Sequence, residues 1–156
     1  MKIKSILIVV LLFLFLSGCT VMKYYSTKPS EALLEADFYG KFNNGLVFIV
    51  QKSTFDRILI FWIENQGEKL VRLDRGRDEI ACYIDNNKHI LVPLCGSNDY
   101  IKYIKPGGYA IIMATGETGY DGYQLFWSAS NLDLITKVSF RIGSEGEEFI
   151  IPKRDE

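Results

Sequence analysis

Residues 55–63 (FDRILIFWI) form the longest apolar run after the N-terminal segment, and they constrain the fold more than any other feature. Their apolar side chains fall at both odd and even positions. In a strand these positions point to opposite faces, so a strand here would be apolar on both faces. We therefore expect it to be a central strand of a sheet that is covered on both sides.

Short runs rich in aromatic and β-branched residues follow one another from residue 46 to residue 152. Turn residues separate these runs at intervals of about 8–12 residues, a spacing typical of all-β sandwiches and barrels. Aromatic residues make up 13% of the chain and proline is scarce, which favours a β-rich domain with a packed core. The pattern predicts an all-β domain of about 7–9 strands.

Two turn signals organise the first and the later part of this predicted sheet. Asn65 and Gly67 stand between residues 55–63 and the next apolar run at 69–73, which predicts a hairpin of these two strands. Residues 106–108 (PGG) form a second turn signal ahead of another apolar run.

A further hairpin is predicted around Asn86 and Asn87. If these two residues form the turn, Asp85 faces Lys88 across the hairpin. Pro93 is expected to end the second strand, because proline donates no hydrogen bond to a neighbouring strand.

Residues 30–39 (SEALLEADFY) predict one short N-terminal helix. Ser30 can cap the first turn, and Gly40 stands where a glycine often ends a helix. Three apolar side chains would then share one helix face: Leu33, Leu34 and Phe38.

Two stretches resemble a known class of domain. Residues 61–71 (FWIENQGEKLV) are similar to the early hairpin of bacterial immunoglobulin-like accessory domains, and residues 104–108 (IKPGG) resemble the Pro-Gly turn that such domains often place before a middle strand. The resemblance implies an immunoglobulin-like β-sandwich of about 7–9 strands, with the one short helix at its N-terminal side. It implies no functional residue.

The N-terminal segment has the features of an export signal. Lys2 and Lys4 precede an uncharged apolar run over residues 6–16, which is too short to span a bilayer as a helix. The run ends in Leu16-Ser17-Gly18-Cys19, which resembles the lipobox of bacterial lipoprotein precursors. The resemblance implies cleavage before Cys19 and lipidation of its thiol. The alternatives are an ordinary cleaved signal with a chance cysteine, or an uncleaved anchor.

These observations predict four segments along the chain. Residues 1–18 are a lipoprotein signal peptide, 19–40 a lipid-anchored tether with the short helix, 41–152 the β-sandwich domain and 153–156 a charged tail. The expected location is the cell envelope, held to a membrane by the lipid. Thr20 after the cysteine favours the outer membrane, facing the periplasm, if the host is Gram-negative.

The charge balance argues against nucleic acid as a partner. The chain has 18 basic and 19 acidic residues, and loss of Lys2 and Lys4 with the leader leaves 16 against 19, a formal charge of −3. No stretch is strongly basic, as nucleic-acid binding would require. His89 is the single histidine, so a histidine-based zinc site or a Ser-His-Asp triad would have to rest on it.

Cys82 and Cys95 are candidates for a disulfide, because exported proteins mature in an oxidising compartment. The predicted hairpin register complicates this pairing, since it places Cys82 opposite Leu91. Two alternatives remain: both cysteines are buried as small apolar residues, or one is a catalytic thiol with His89 as its base.

An acidic loop is the second candidate site. Asp74, Asp78 and Glu79 lie close together in sequence, as the ligands of a hard cation would. Arg75 and Arg77 interleave with them, however, and can neutralise the carboxylates directly. The sequence therefore favours a solvated, salt-bridged loop, and no metal or other cofactor is expected.

A glycine-rich loop at residues 116–123 (GETGYDGY) is the strongest candidate for recognition. Tyrosine provides large contact area at low entropic cost, and such mixtures are favoured in binding loops of immunoglobulin domains. The simpler alternative is a connecting hairpin loop. The candidate protein-binding residues are Glu117, Tyr120, Asp121 and Tyr123.

No pair of carboxylates, triad or metal set emerges from the sequence, so we do not expect an enzyme. The leading hypothesis is a non-enzymatic cell-envelope lipoprotein that binds or scaffolds an envelope protein. The alternative hypothesis is a periplasmic inhibitor of a hydrolase such as a lysozyme or a protease.

Overall fold

A computed structural model of the chain describes residues 27–54, 57–93, 101–116 and 132–155. Within these residues a short helix, α1, precedes a 3-10 turn and ten strands. The helical elements are α1 (Pro29–Ala32) and the 3-10 turn (Leu33–Glu35). The strands are β1 (Phe38–Lys41), β2 (Leu46–Ser53), β3 (Ile58–Asn65), β4 (Val71–Asp74), β5 (Glu79–Ile84), β6 (Asn87–Pro93), β7 (Ile101–Ile104), β8 (Tyr109–Gly116), β9 (Ile135–Arg141) and β10 (Glu148–Pro152).

Eight of these strands form one antiparallel sheet in the order β1-β2-β3-β8-β6-β5-β9-β10. An isolated bridge between Phe38 and Lys153 brings the two edge strands together, so the sheet is nearly closed. Strands β4 and β7 pair separately as a two-stranded ribbon. The prediction of a β fold with one short N-terminal helix is confirmed, but the predicted count of about 7–9 strands is too low, because ten strands are described.

Strand β3 lies at the centre of the sheet, between β2 and β8, as its apolar pattern predicts. Leu59, Phe61 and Ile63 point into the inner core, whereas Ile60 and Trp62 point to an outer cluster. All five side chains are fully buried. The prediction of a central strand covered on both faces is therefore confirmed.

Aromatic rings join opposite parts of the sheet through the inner core. The ring of Phe140 on β9 lies 5.5 Å from Phe48 on β2 and 6.2 Å from Phe61 on β3, measured between centroids. Phe149 on β10 lies 5.3 Å from Phe48. Strands β9 and β10 therefore face β2 and β3 across the core.

Residues 27–36, here called the covering segment, lie over the outer face of β2, β3 and β8. Trp62 Nε1 donates a hydrogen bond to the carbonyl of Thr27 (3.1 Å), and Gln51 Nε2 donates one to the carbonyl of Ala32 (2.9 Å). Ala32 is fully buried in the outer cluster, and Leu33 packs against that cluster. The covering segment therefore supplies the second layer that β3 requires.

The extent of the predicted helix is wrong. Pro29 begins the helix, and the backbone N–H of Lys28 donates to the Glu31 carboxylate (3.3 Å), so Ser30 is not the cap. Gly40 lies inside strand β1 rather than at a helix end. The chain leaves the helix early because β1 must pair with β2, which buries Phe38 in the inner core.

The predicted sharing of one helix face is also wrong. Phe38 is in the inner core, Leu33 packs on the outer cluster, and Leu34 is 82% exposed. Burial within the sheet outweighs the local helical pattern at these positions, because apolar burial is worth more than intrinsic helix propensity.

The hairpin predicted at Asn65 and Gly67 does not form, because β4 pairs with β7 and not with β3. Asn65 is fully buried, and its side chain joins neighbouring loops by hydrogen bonds. Its Nδ2 donates to the carbonyls of Lys69 (2.7 Å) and Ile104 (2.9 Å), and its Oδ1 accepts from the N–H of Gly67 (3.0 Å). The bonds turn the chain away from β3 after Asn65.

The second predicted hairpin exists, but its turn is shifted by one residue. Asp85 and Asn86 form the turn, with φ angles of 49° and 65°, as a two-residue hairpin turn requires. Cys82 consequently faces His89 and not Leu91. Pro93 is the last described residue of β6.

Candidate binding groove along strand β8

Most of the residues singled out from the sequence lie outside the residues that the structure describes. These are Cys19, Cys95, Glu117, Tyr120, Asp121 and Tyr123. Lipidation, the disulfide and the recognition loop therefore stay predictions. The structure does place Cys82, His89 and the acidic loop.

Cys82 lies in the inner core with no exposed surface. Burial raises the pKa of this thiol to about 12, since a thiolate is costly in an apolar environment. His89 is directly across the hairpin, but a thiol that keeps its proton at neutral pH is a poor nucleophile. The position suits a small apolar core residue, and a bond to Cys95 stays a prediction because Cys95 lies outside the described residues.

The carboxylates of Asp74 and Asp78 accept hydrogen bonds from backbone groups. Asp78 accepts hydrogen bonds from the N–H groups of Asp74 (2.7 Å) and Gly143 (2.8 Å), and Asp74 accepts one from the N–H of Gly76 (3.1 Å). Partial burial raises the pKa of Asp78, although its two bonds act in the opposite direction. Arg72 pairs with Asp74 at 2.8 Å.

Nothing in the described part of the chain brings three metal-ligating side chains together. The carboxylates of Asp74 and Asp78 accept backbone hydrogen bonds, and that of Glu79 pairs with Lys88 and Arg141. The described carboxylates are therefore bound to groups of the protein itself.

A charged network covers the outer face of β5, β6, β9 and β10. Lys88 Nζ lies 2.7 Å from both Glu79 Oε1 and Glu148 Oε1, and Arg141 lies 3.4 Å from Glu148 and 3.8 Å from Glu79. The hydrogen bond from Lys88 lowers the pKa of Glu148 to about 2. Burial lowers the pKa of Lys88, but its bonds to Glu148 and Glu79 raise it above its ordinary value overall. Two positive and two negative groups thus compensate one another.

Strand β8 has two neighbours in the sheet. It pairs with β3 from Tyr109 to Ala114 and with β6 from Ala114 to Gly116. Pro93, opposite Ala114, is the last described residue of β6. Over residues 109–113, no described strand is hydrogen-bonded to the β6-side edge of β8.

The direction of the backbone groups along this edge follows from the pairing with β3. The N–H of Asn65 donates to the carbonyl of Gly108 at 2.9 Å, and bonding to β3 then alternates along β8. The amides and carbonyls of Tyr109, Ile111 and Met113 therefore point away from β3. Lys102 Nζ donates to the carbonyl of Ile111 at 3.2 Å, as this direction requires.

A groove of about 430 Å³ lies between β7 and the first half of β8. Tyr103 and Tyr109 stand in its wall with 60% and 43% of their surface exposed. We call this feature the β8 groove, and its lining consists of Lys102, Tyr103, Tyr109, Ala110 and Ile111.

Exposed apolar side chains concentrate near the β8 groove. Eight large apolar residues are exposed among the described residues, and four of them lie on or next to the ribbon and the start of β8. Scattered single apolar residues need no explanation, but a group beside a groove is typical of an interaction site. The four are Leu70, Ile101, Tyr103 and Tyr109.

A larger cleft of about 560 Å³ lies between the β1–β2 turn and the loop after β3. Its polar side chains bond within their own loops: Asn44 Oδ1 accepts from the N–H of Leu46 (3.0 Å), and Gln66 Nε2 donates to Glu64 (3.1 Å). No aromatic residue lines this cleft. The β8 groove is therefore the better candidate for recognition.

Sequence reasoning identified the strand at residues 100–104 but not its role in a groove. The strict alternation of YIKYI was the available signal, because it places Ile101 and Tyr103 on one face. Exposure of that face depends on the ribbon pairing of β4 with β7, which local sequence does not specify.

Two findings bear on the chain as a whole. Among the residues that the structure describes, no helix has the length and apolar character needed to cross a bilayer. No family model, curated protein or solved structure matches this chain.

Proposed function

We propose that the protein is a non-enzymatic, lipid-anchored binding module of the cell envelope, which binds an envelope protein through the β8 groove. The observation that carries the proposal is the β8 groove itself, in whose wall the rings of Tyr103 and Tyr109 are exposed. Tyrosine is enriched where proteins bind each other.

The anchor would be the lipid on Cys19, as the lipobox resemblance implies. Thr27 is held to β3 by Trp62, and eight residue steps separate it from Cys19. Even a fully extended chain of that length spans at most about 30 Å. Such a tether would keep the domain close to the membrane and would join it at the covering segment.

We keep the immunoglobulin-like sandwich as the finer description of the fold. Packing of Phe48 and Phe61 against Phe140 across the core supports it, since the inner faces of a sandwich interdigitate in this way. An experimental structure compared with immunoglobulin domains would test it, and a sheet hydrogen-bonded all the way round would contradict it.

The binding role can be tested by capture from detergent-solubilised envelopes of the native host. The bait is the lipidated chain, and the test bait carries Tyr103→Ala with Tyr109→Ala. The matched control is Leu34→Ala, which removes the most exposed large apolar side chain at a site on the covering segment. We expect one envelope protein to be captured by the wild type and the control, and to be reduced at least tenfold with the double variant.

Two results would change the proposal. Equal capture by the double variant, at an unchanged melting temperature, would exclude the β8 groove as the binding site. Capture of a secreted lysozyme or protease, with inhibition of its activity, would replace the scaffolding role by that of a hydrolase inhibitor.

A test of the anchor is independent of the groove. Cys19→Ala should abolish labelling by radioactive palmitate and leave the precursor uncleaved by the lipoprotein peptidase. Labelling equal to that of the wild type would exclude Cys19 as the lipidated residue.

A further inference from the structure

We infer that the covering segment regulates the β8 groove, because one buried side chain, Ile111, belongs to both. Ile111 is a member of the outer cluster beneath the covering segment, and it also lines the groove. The inference rests on the proposed binding role of the groove and adds the regulation of that site. The groove binds its partner tightly only while the covering segment lies on the sheet.

A continuous series of contacts leads from the covering segment to the groove. Trp62 Nε1 donates to the carbonyl of Thr27 at 3.1 Å, and Trp62 lies opposite Ile111 in the pairing of β3 with β8. The carbonyl of Ile111 in turn accepts a hydrogen bond from Lys102 Nζ at 3.2 Å, and Lys102 lines the groove. Because packed interiors are dense, a change in the packing around Ile111 is passed to its neighbours.

The ring of Tyr109 is the second point of contact between the outer cluster and the groove. Side chains two residues apart in a strand share a face, so Tyr109 and Ile111 are adjacent on the outer face of β8. Tyr109 is 43% exposed in the groove wall, whereas Ile111 is buried. The position of Ile111 therefore sets the apolar surface beside this ring.

The covering segment depends on the sheet for its own structure. Its helix has four residues, too few to be stable alone in water. The segment is held by the burial of Ala32 in the outer cluster, by the bond from Gln51 to the carbonyl of Ala32, and by a bond from Arg154 to the carbonyl of Leu33. Because these contacts support one another, the segment has two states, on the sheet and off it.

The position of Thr27 connects these two states to the proposed anchor. Thr27 is the described residue nearest in sequence to Cys19, and its carbonyl is bound by Trp62. A pull from the membrane would therefore act on this bond before it reaches the strands. Coupling between two sites is reciprocal, so a partner in the groove would also hold the covering segment down by the same factor.

Two matched substitutions on the covering segment test the coupling in the full chain. Ala32→Asp places a charge in the outer cluster and should lift the segment, whereas Leu34→Asp places the same charge at an exposed position two residues later. Gln51→Ala is a milder second variant, which removes one bond to the segment from β2. Phe149→Leu weakens the inner core outside the outer cluster and controls for a general loss of stability.

NMR of the tyrosine rings reports on the groove without any ligand. We expect Ala32→Asp to move the ring signals of Tyr103 and Tyr109, and Gln51→Ala to move them in the same direction by less. Leu34→Asp and Phe149→Leu should leave both signals at their wild-type positions.

Capture from solubilised envelopes then relates the coupling to binding. The Ala32→Asp bait should retain about tenfold less of the envelope protein than the Leu34→Asp bait. The captured protein, purified and added to the wild type, should slow hydrogen exchange of the Ala32 amide about tenfold. This amide reports on the segment because it donates to the carbonyl of Lys28 at 3.0 Å within the helix.

Unchanged ring signals in a folded Ala32→Asp chain would overturn the coupling, and Gln51→Ala decides in the same way if Ala32→Asp does not fold. Equal movement with Phe149→Leu would also overturn it, because the groove would then respond to any loss of stability. If the rings move but the Tyr103 and Tyr109 double variant captures as much as the wild type, the coupling stands and the proposed binding role of the groove is wrong.

Discussion

The outer face of β2, β3 and β8 and the outer face of β5, β9 and β10 belong to one sheet but meet their surroundings in opposite ways. The first is apolar, and the covering segment buries Ile60 and Trp62 in the outer cluster. The second carries ion pairs that join Lys88 and Arg141 to Glu148, and no described segment lies over it.

The two faces of the sheet are therefore stabilised in different ways. An apolar face is stable only when another part of the chain removes it from water, which makes the covering segment part of the domain. A face left open instead needs charges that neutralise one another at short range. Thr27, the first described residue, lies at the covered face, and the charged face lies on the opposite side of the core from it.

We expect the largest loss of stability when the largest side chain of the covered face is removed. Trp62→Ala should lower the free energy of unfolding by about 3–5 kcal/mol, because it leaves a cavity in the outer cluster and removes the bond to Thr27. Urea denaturation followed by circular dichroism gives the value. Tyr103→Ala is the matched control, since that ring is 60% exposed and its loss should cost less than about 0.5 kcal/mol. A small effect at Trp62 would mean that the covering segment does not pack as described.

Two neighbouring leucines of the covering segment test the same contrast between buried and exposed side chains, with smaller expected losses of stability. Leu33 packs against the outer cluster, whereas Leu34 is 82% exposed. Leu33→Ala should cost about 1–2 kcal/mol and Leu34→Ala less than about 0.5 kcal/mol. Thermal melting of the two variants side by side checks this order, and the reverse order would place the covering segment in another orientation.

The charged face should give the smallest effect, and one that depends on pH. The pKa of Glu148 is about 2 in the folded chain against an ordinary value of 4.5. Because the folded value is the lower one, the stabilisation is fully present above about pH 4.5 and is lost as the pH falls toward about 2. Glu148→Gln should therefore cost about 0.5–1 kcal/mol near pH 7, in keeping with partly exposed ion pairs.

The measurement is the difference in urea stability between wild type and variant, which should shrink between about pH 4.5 and about pH 2. Glu147→Gln is the matched control, since Glu147 is exposed at the neighbouring position. A difference that stays constant over this range would contradict the low pKa of Glu148.

Local sequence patterns predicted the features that depend on nearest neighbours. The two-sided apolar run identified β3 as central, and Pro106-Gly107 forms the expected turn, with a φ of 75° at Gly107 and a hydrogen bond from Gly108 to Lys105 (2.8 Å). These features follow from backbone geometry and alternation, which act within a few residues.

The wrong predictions concern positions where contacts with residues distant in the chain outweigh the local sequence pattern. Phe38 leaves the predicted helix because the inner core offers it more burial, and the chain after Asn65 turns to the ribbon because the buried amide binds the carbonyls of Lys69 and Ile104. The turn of the β5–β6 hairpin lies one residue earlier than predicted, at Asp85 and Asn86, which both have left-handed φ angles. A turn at Asn86 and Asn87 could have used the same backbone conformation. Contacts of this kind join residues far apart in the chain.

By itself, the sequence determined an all-β chain with a doubly covered central strand and an N-terminal segment that resembles a lipobox, since alternation and residue type act locally. Only the tertiary structure decided which strands became neighbours. The β8 groove exists because β7 pairs with β4 and lies beside the first half of β8. Strand pairing is a competition over the whole chain, and no short pattern encodes its outcome.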